Sequence, residues 1–295
     1  MTSYNSTGFG IAAQSYIQTL LLFSDILCIQ EHFLLDNKDK KHSNTNKLRN
    51  KFSNSYDMFI VPAYKENLQV SRGRGKGGLA MLWHKSLTKY VSRIKCNNYR
   101  LQATKFDLPS GALLVLNSYF PQDPRSSNFD DAEVLSLLTE IRSVIFESDC
   151  SNVLLCGDLN CHFPRQTEFT KLVNNYLDNM GLKIFWESSE ENMNIKQIDY
   201  THIHIVNQVA AYSTIDHFAG SQAVINCITE AGVVHDGSNH SNHSAIYTKL
   251  NVGVFNADKE KVKSEKRVDW SKATENAIEN FKNDLASKLN LIEDA

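Results

Sequence analysis

The feature that most restricts this chain is a repeated punctuation: short apolar, β-branched runs that stop abruptly in acid or amide side chains. DILCIQEH delivers Glu31, NVLLCGDLN delivers Asp158 and Asn160, and YSTIDHF delivers Asp216. A fourth segment, SNHSAIYTKL, places His243 just ahead of an apolar strand. Continuous short apolar runs mark strands buried on both faces. Such strands have no use for a carboxylate, because burying an unpaired charge is strongly unfavourable. Acids that recur at strand ends without cysteine partners make a hard oxygen site suited to Mg²⁺. A histidine beside them, its tautomer fixed by an aspartate, completes a site for phosphoryl transfer. Each residue alone reads as a solvated strand end, so the weight lies on their joint occurrence.

The intervening segments alternate strand and helix patterns, as an α/β domain requires. Residues 1–9 look like a strand entering a turn, and residues 11–23 put Ile11, Tyr16, Ile17, Leu20 and Leu21 near helical spacing. Residues 36–51 read as a solvated basic loop. FIVPAY and GGLAMLWH read as strands around the loop SRGRGKGG. LQATKFDLPSGALLVLNSYF is a hairpin turning at Pro109-Ser110-Gly111. Residues 129–147 form a helix with Val134, Leu137, Leu138, Ile141 and Ile145 on one stripe, and a second helix covers Glu168–Asn179. Strands are expected near Tyr200–Ile205, over Tyr212–Phe218 and over 244–250. Beyond them, residues 256–269 are charged, and Trp270, Thr274, Ile278, Phe281, Leu285 and Leu289 mark an amphipathic helix. The reading is a domain over 1–250 and a charged linker with a helix over 251–295, without internal repeats.

Charge is distributed unevenly. The whole chain is net −2, yet residues 1–100 carry 15 Lys/Arg against 6 Asp/Glu and the remainder 16 against 27. That asymmetry suits a basic rim facing phosphates and a carboxylate-rich site. Cysteines 28, 96, 150, 156, 161 and 227 form no CxxC pair and read as reduced core residues of an intracellular protein. The longest apolar stretch, Tyr16–Ile29, is 14 residues long and is interrupted by Ser24-Asp25. It is too short to span a bilayer, and the N-terminus lacks the basic start of a secretory signal, so no membrane role is indicated.

The ordered series SYN, CIQE, NSYFP, CGDLN, YSTIDHF and SNHSAI resembles the endonuclease/exonuclease/phosphatase superfamily over residues 3 to 250. GRGKGGLAMLW, YSTIDHFAGS and the helical tail are similar to its LINE-type (non-LTR) retrotransposon endonuclease branch, which is related to apurinic/apyrimidinic endonucleases. The resemblance implies an α/β fold, a four-layer α/β/β/α sandwich of two mixed sheets flanked by helices. It implies a DNA-nicking hydrolase that leaves a 3′-hydroxyl and a 5′-phosphate, working with Mg²⁺ or, alternatively, Mn²⁺. Glu31 would be the principal metal-binding glutamate, with Asn5 supporting the same region. Tyr119 would hydrogen-bond the scissile phosphate. Asp158 would orient or deprotonate the attacking water, Asn160 would hold water and phosphate in line, and Asp216 would bind His243, which donates to the phosphate. Either Asp158 or His243 could serve as the base. DNA is the implied partner, in the nucleus, with a reverse transcriptase module outside this chain.

One departure stands out. The superfamily usually places Asp before the final histidine, where this chain has Asn242; His240 likewise follows Asn239. Asn242 keeps the shape of a metal contact and loses its charge. His243 is preferred because AIYTKL follows it.

The same residues allow other readings. SRGRGKGG lacks GxxxxGK[ST], so Arg72, Arg74 and Lys76 read as contacts to the DNA backbone rather than as a nucleotide loop. His202 and His204, or His235, His240 and His243, suggest zinc, but strand alternation explains the first pair. The same scaffold also serves small-phosphoester phosphatases, and a decayed remnant would bind DNA or a partner without cutting.

Overall fold

The computed structural model describes residues 1–36, 44–64, 75–123, 131–188 and 194–254, with Thr274, Asn276, Glu279, Asn280, Lys282 and Asn283. Strand β1 (Thr2–Asn5) crosses through helix α1 (Ile11–Leu21) to β2 (Ile26–Gln30), parallel to β1. Parallel neighbours need such a crossover, and α1 makes it by burying Tyr16, Ile17, Leu20 and Leu21. Helix α2 (Asn46–Phe52) precedes the antiparallel pair β3 (Tyr56–Val61) and β4 (Leu79–His84). Strands β5 (Val91–Ile94), β6 (Leu101–Leu108) and β7 (Gly111–Tyr119) form an antiparallel meander. A second crossover, helix α3 (Ala132–Ser148), leads to β8 (Val153–Asp158), parallel to β7.

Helix α4 (Glu168–Asn179) starts at Thr167, whose hydroxyl accepts a hydrogen bond from Thr170 N at 3.2 Å. Then come β9 (Leu182–Ile184) and a hairpin of β10 (His202–Val206) and β11 (Val209–Ser213). The chain closes with β12 (Asp216–Ser221), the single turn α5 (Gln222–Ile225), β13 (Ile228–Val234) and β14 (Ala245–Leu250).

One six-stranded sheet has the order β13-β14-β1-β2-β4-β3 and the other β5-β6-β7-β8-β12-β9, with β10-β11 as a separate pair. Alternation along each strand sorts the side chains into three apolar layers. Leu27 and Ile29 of β2 pack with α1 and α2, whereas Ile26 and Cys28 meet Val115, Leu154, Cys156 and Phe218 between the sheets. Leu114, Leu116 and Leu155 face α3 and α4 on the far side. This is the expected four-layer sandwich. Each fully buried Leu, Ile or Phe side chain contributes about 1.5–3 kcal/mol.

The inter-sheet layer turns polar near one end. Gln30 Nε2 donates to Ser3 Oγ (3.0 Å) and to Asn117 Oδ1 (2.7 Å) across the gap. Asn117 Nδ2 reaches Ile29 O, Ala80 O and Gln102 Oε1 at 3.0–3.3 Å. Gln102 Nε2 donates to Phe59 O at 2.8 Å. The four side chains are buried. They tie strands of both sheets together one layer beneath the strand ends that carry the acids.

Several local expectations need correction. Residues 46–51, read as loop, belong to helix α2, because Leu48 and Phe52 four residues apart are both buried beneath a polar surface. The strand expected over Tyr212–Phe218 is two strands, broken at Thr214-Ile215, where the chain leaves the hairpin and joins β8. Val144 rather than Ile145 completes the fully buried stripe of α3. Strands β5, β9 and β13 had no sequence expectation; β9 has only three residues, and β13 carries Glu230 on an exposed edge.

The chain divides into a compact unit Met1–Asp258 and a second, Lys259–Ala295. The first runs past the expected limit at 250 because Val252 packs against the inter-sheet core and Asn251 N bonds Cys227 O at 2.8 Å. Of the tail, Asn276, Glu279, Asn280, Lys282 and Asn283 are helical and exposed, whereas Trp270, Ile278, Phe281, Leu285 and Leu289 lie outside the described residues. The six cysteines are free thiols, and all except the half-buried Cys96 are buried. Among the described residues no helix is long and apolar enough to cross a membrane.

Candidate active site

The two parallel pairs, one in each sheet, end at the same edge of the sandwich. Open sheets offer ligand sites beyond the carboxyl ends of parallel strands. Asn5 ends β1 and Glu31 follows β2, while Tyr119 ends β7 and Asp158 ends β8. β12 runs antiparallel to β8, so its first residue, Asp216, is the direct partner of Asp158. β14 runs antiparallel to β1, so the segment ahead of it brings His243 to the same edge.

The side chains meet. Asn5 Nδ2 donates to Glu31 Oε2 (3.0 Å) and Asp158 Oδ2 (2.9 Å), and Asn5 Oδ1 accepts from Thr7 N at 3.0 Å. His243 Nδ1 lies 2.9 and 3.1 Å from the two oxygens of Asp216, and His243 Nε2 lies 4.0 Å from Asp158 Oδ2. Asp158, Asp216 and His243 are buried, and each offers a ligand atom within 4.8 Å of the others. Glu31 is half-buried at the mouth.

Asn160 turns Asp158 by donating its backbone N–H to Oδ1 at 2.9 Å, while its own Nδ2 is used on Phe120 O at 2.9 Å. Tyr119 has Arg100 over its ring at 5.1 Å, and Arg100 donates to Tyr119 O at 3.3 Å.

Backbone geometry supports the placement. Glu31 and Asn160 have φ of +55° and +52°, a left-handed conformation that is uncommon for residues with a side chain. Gly157, with φ +141°, lets β8 press against β7: a Cβ there would sit 1.9 Å from Ser118 O. His32 pins the turn after Glu31, its Nδ1 accepting from Leu34 N at 2.9 Å and its Nε2 facing Val61 O and Leu79 O at 3.2–3.3 Å.

The electrostatics are crowded. Burial pushes the Asp158 carboxyl up; His243 opposes that shift, and Asp216 and Glu31 add to it. For His243, burial disfavours the charge, but Asp216, Asp158 and Glu31 outweigh it and raise the imidazole to about 9. Burial, then Glu31 and Asp158, raise the Tyr119 hydroxyl, which stays a neutral donor. Three carboxyl groups therefore crowd one imidazole. That imbalance, and a donor set rich in hard oxygen, fits a divalent cation.

Asn5, Glu31, Asp158, Asn160, Asp216, His243 and Tyr119 thus come together at one edge. Asn242 does not join the acids: it is exposed, and its amide meets His202 Nε2 at 2.8 Å. Lys76 is exposed and pairs through its backbone with Tyr64, whereas Arg72 and Arg74 lie outside the described residues.

Three supports of this site had no such role assigned from sequence. Ser241 Oγ donates to Asn5 O (2.8 Å) and accepts from His243 N (3.1 Å), joining the first strand to the last loop. Thr201 Oγ1 accepts from the backbone N–H groups of Ile215 and Asp216, both at 3.0 Å. His202 lies against His243 with ring centroids 4.6 Å apart. A small hydroxyl in a polar loop carries no pattern that would single it out.

The Endonuclease/Exonuclease/phosphatase family model matches residues 8–237. No curated protein matches the sequence. Among solved structures, an AP endonuclease from Leishmania major superposes with TM-score 0.63 at 13% identity, covering 84% of this chain and 86% of that one. The endonuclease domain of TRAS1, a telomere-specific non-LTR retrotransposon, gives 0.57 at 13% identity, with 85% and 97% covered. The 3′ phosphatase NExo from Neisseria, bound to product DNA hairpin, gives 0.58 at 15%, with 85% and 98% covered. At these identities the likeness is one of fold.

Proposed function

The chain belongs to the endonuclease/exonuclease/phosphatase family, and on that premise we propose that it is a Mg²⁺-dependent phosphodiesterase that nicks DNA, in the manner of retrotransposon target-site cleavage. The family's relatives depend on divalent metals, and its fold serves nucleases and phosphatases. The observation that carries the finer reading is the convergence of both sheets: β1 and β2 hold Asn5 and Glu31 against Asp158 of β8, with His243 clamped by Asp216 beside it.

Glu31 would hold the cation, with Asn5 donating to both Glu31 and Asp158 rather than offering an oxygen. Mn²⁺ would suit the same donors. When bound, the metal would neutralise phosphate charge and screen the acids from one another.

The chain's own groups account for the rest. His243, held protonated by Asp216, donates from Nε2 to a phosphate oxygen as negative charge builds. Because it is already charged at neutral pH, the base falls to Asp158, whose raised pKa suits it to take the water's proton. Asn160 orients Asp158 and leaves its side-chain oxygen for the attacking water. Tyr119, a neutral donor, holds the scissile phosphate without repelling it. In-line attack then leaves a 3′-hydroxyl and a 5′-phosphate. Lys76, with Arg72 and Arg74 of the same basic loop, would bind the DNA backbone. A reverse transcriptase partner and a nuclear location follow from the retrotransposon reading alone.

The rival, a domain that binds DNA without cutting, has one observation in its favour: Asn242 is turned to His202 and away from the acids. Nicking of supercoiled plasmid decides between them. Wild type nicks in Mg²⁺ and not in EDTA, and Asp158→Asn abolishes the reaction. A folded wild type that binds both Mg²⁺ and DNA yet leaves the plasmid closed selects the rival.

A further inference from the structure

A row of rings leads away from Tyr119 along the surface. Arg100 lies between two tyrosines, its guanidinium 5.1 Å from the Tyr119 ring and 5.3 Å from the Tyr99 ring. Tyr99 in turn stacks on Tyr64, with centroids 5.1 Å apart and planes inclined by 22°. The row is built rather than incidental. Arg100 Nε is fixed to Glu133 at 2.7 Å, and the Tyr99 hydroxyl donates to the same carboxylate oxygen at 3.0 Å. Tyr64 is joined by backbone hydrogen bonds to Lys76, at 2.8 and 2.9 Å in the two directions. At its outer end Tyr64 is 44% exposed, a large aromatic side chain left partly open to solvent.

We propose that Tyr64 and Tyr99, braced by Arg100, form a stacking subsite for an unpaired nucleobase of the DNA strand whose phosphate sits at Tyr119. Three observations converge on a base rather than on a phosphate or a peptide. Tyr64, partly open to solvent and backed by Tyr99, offers an aromatic surface, and every base has a matching π-face. Arg100 spends its charge on Glu133, so it stiffens the row and does not compete for a phosphate. The row runs from Tyr119 through Arg100 and Tyr99 to Tyr64, so its open end lies on the surface that continues from the proposed phosphate position. A paired base is already stacked on both faces and has nothing to gain there. A bulged, frayed or single-stranded base does.

This deepens the proposed function and rests on it for the position of the phosphate, so binding is measured apart from cleavage. Anisotropy in EDTA would compare two labelled duplexes of one sequence, one fully paired and one with a single unpaired nucleotide at its centre. Wild type binds the bulged duplex more tightly. Tyr64→Ala loses about tenfold on the bulged duplex, within the range expected for one base–aromatic stack, and leaves the paired duplex unchanged. Tyr64→Phe, which keeps the ring, retains the preference and shows that any loss in Tyr64→Ala is not general unfolding. Equal affinity of wild type for both duplexes, or equal loss on both in Tyr64→Ala, overturns the subsite. Plasmid nicking by the same preparations reports on the catalytic reading independently: a bulge preference without nicking would sink that reading and leave the subsite standing.

Discussion

His243 is clamped to Asp216 through both carboxylate oxygens, 2.9 and 3.1 Å from Nδ1, so the ring has one orientation and presents Nε2 toward Asp158. Asp216→Asn would keep the shape and offer an amide where the carboxylate now stabilises a protonated ring. We expect a fall in nicking rate of roughly 100-fold or more, with unchanged thermal stability within a few degrees. A rate within threefold of wild type would show that the clamp is dispensable.

Gly157 lies under Asp158 at φ +141°, and any Cβ there meets the Ser118 carbonyl. Gly157→Ala forces β7 and β8 apart or leaves the strand in a strained conformation. Destabilisation of at least about 2 kcal/mol is expected, read as a lower urea midpoint. A midpoint equal to wild type would mean that the strands part at no cost.

Asn117 sits at the centre of the inter-sheet amides. Asn117→Leu strips Gln30 Nε2 and Gln102 Oε1 of a partner in a layer without exposed atoms. Buried polar groups left unsatisfied cost roughly 1–3 kcal/mol each, so chemical denaturation should show a loss of that order or somewhat more. Replacing Gln30, Asn117 and Gln102 together by apolar residues should recover part of it. If the triple variant is worse than the single one, unpaired polarity is not the cause.

His32 and His217 are buried neutral; burial is the leading cause, and both are held down to about 4. In the unfolded chain an imidazole takes its proton near pH 6.5. Between these values the unfolded state therefore binds more protons, and stability rises with pH. The two residues should make the protein lose up to roughly 3 kcal/mol each as the pH falls from 6.5 to 4. Unfolding free energies across that range should flatten in His217→Gln. An identical pH slope in the variant would assign acid sensitivity elsewhere.

The legibility of the sequence was uneven for physical reasons. Strands β2 and β8 were readable because a doubly buried strand tolerates only apolar residues, so the polar residues at their ends stand out against that background. Helix α4 matched its expected span because Thr167 caps it and its apolar residues recur at helical spacing. Helix α2 escaped because two buried residues in a basic stretch make too small a face to register. β9 and β13 sit toward sheet edges, where one face is open and composition is weakly constrained. At the site, the acids and His243 were legible by type, but Ser241, Thr201 and the turn of Asn242 onto His202 depend on side-chain direction, which residue order does not encode locally.

The pairing of β1 with both β2 and β14 places Asn5 and His243 in one cluster although 238 positions separate them in the chain. Contacts of such long sequence separation close late and slowly. During synthesis, therefore, a ribosome-bound chain holding Glu31, Tyr119 and Asp158 still lacks the imidazole, and its first strand has no partner on one side. The cluster would be complete only when β14 docks, so a product truncated ahead of that strand would carry most of the acids without the imidazole they surround.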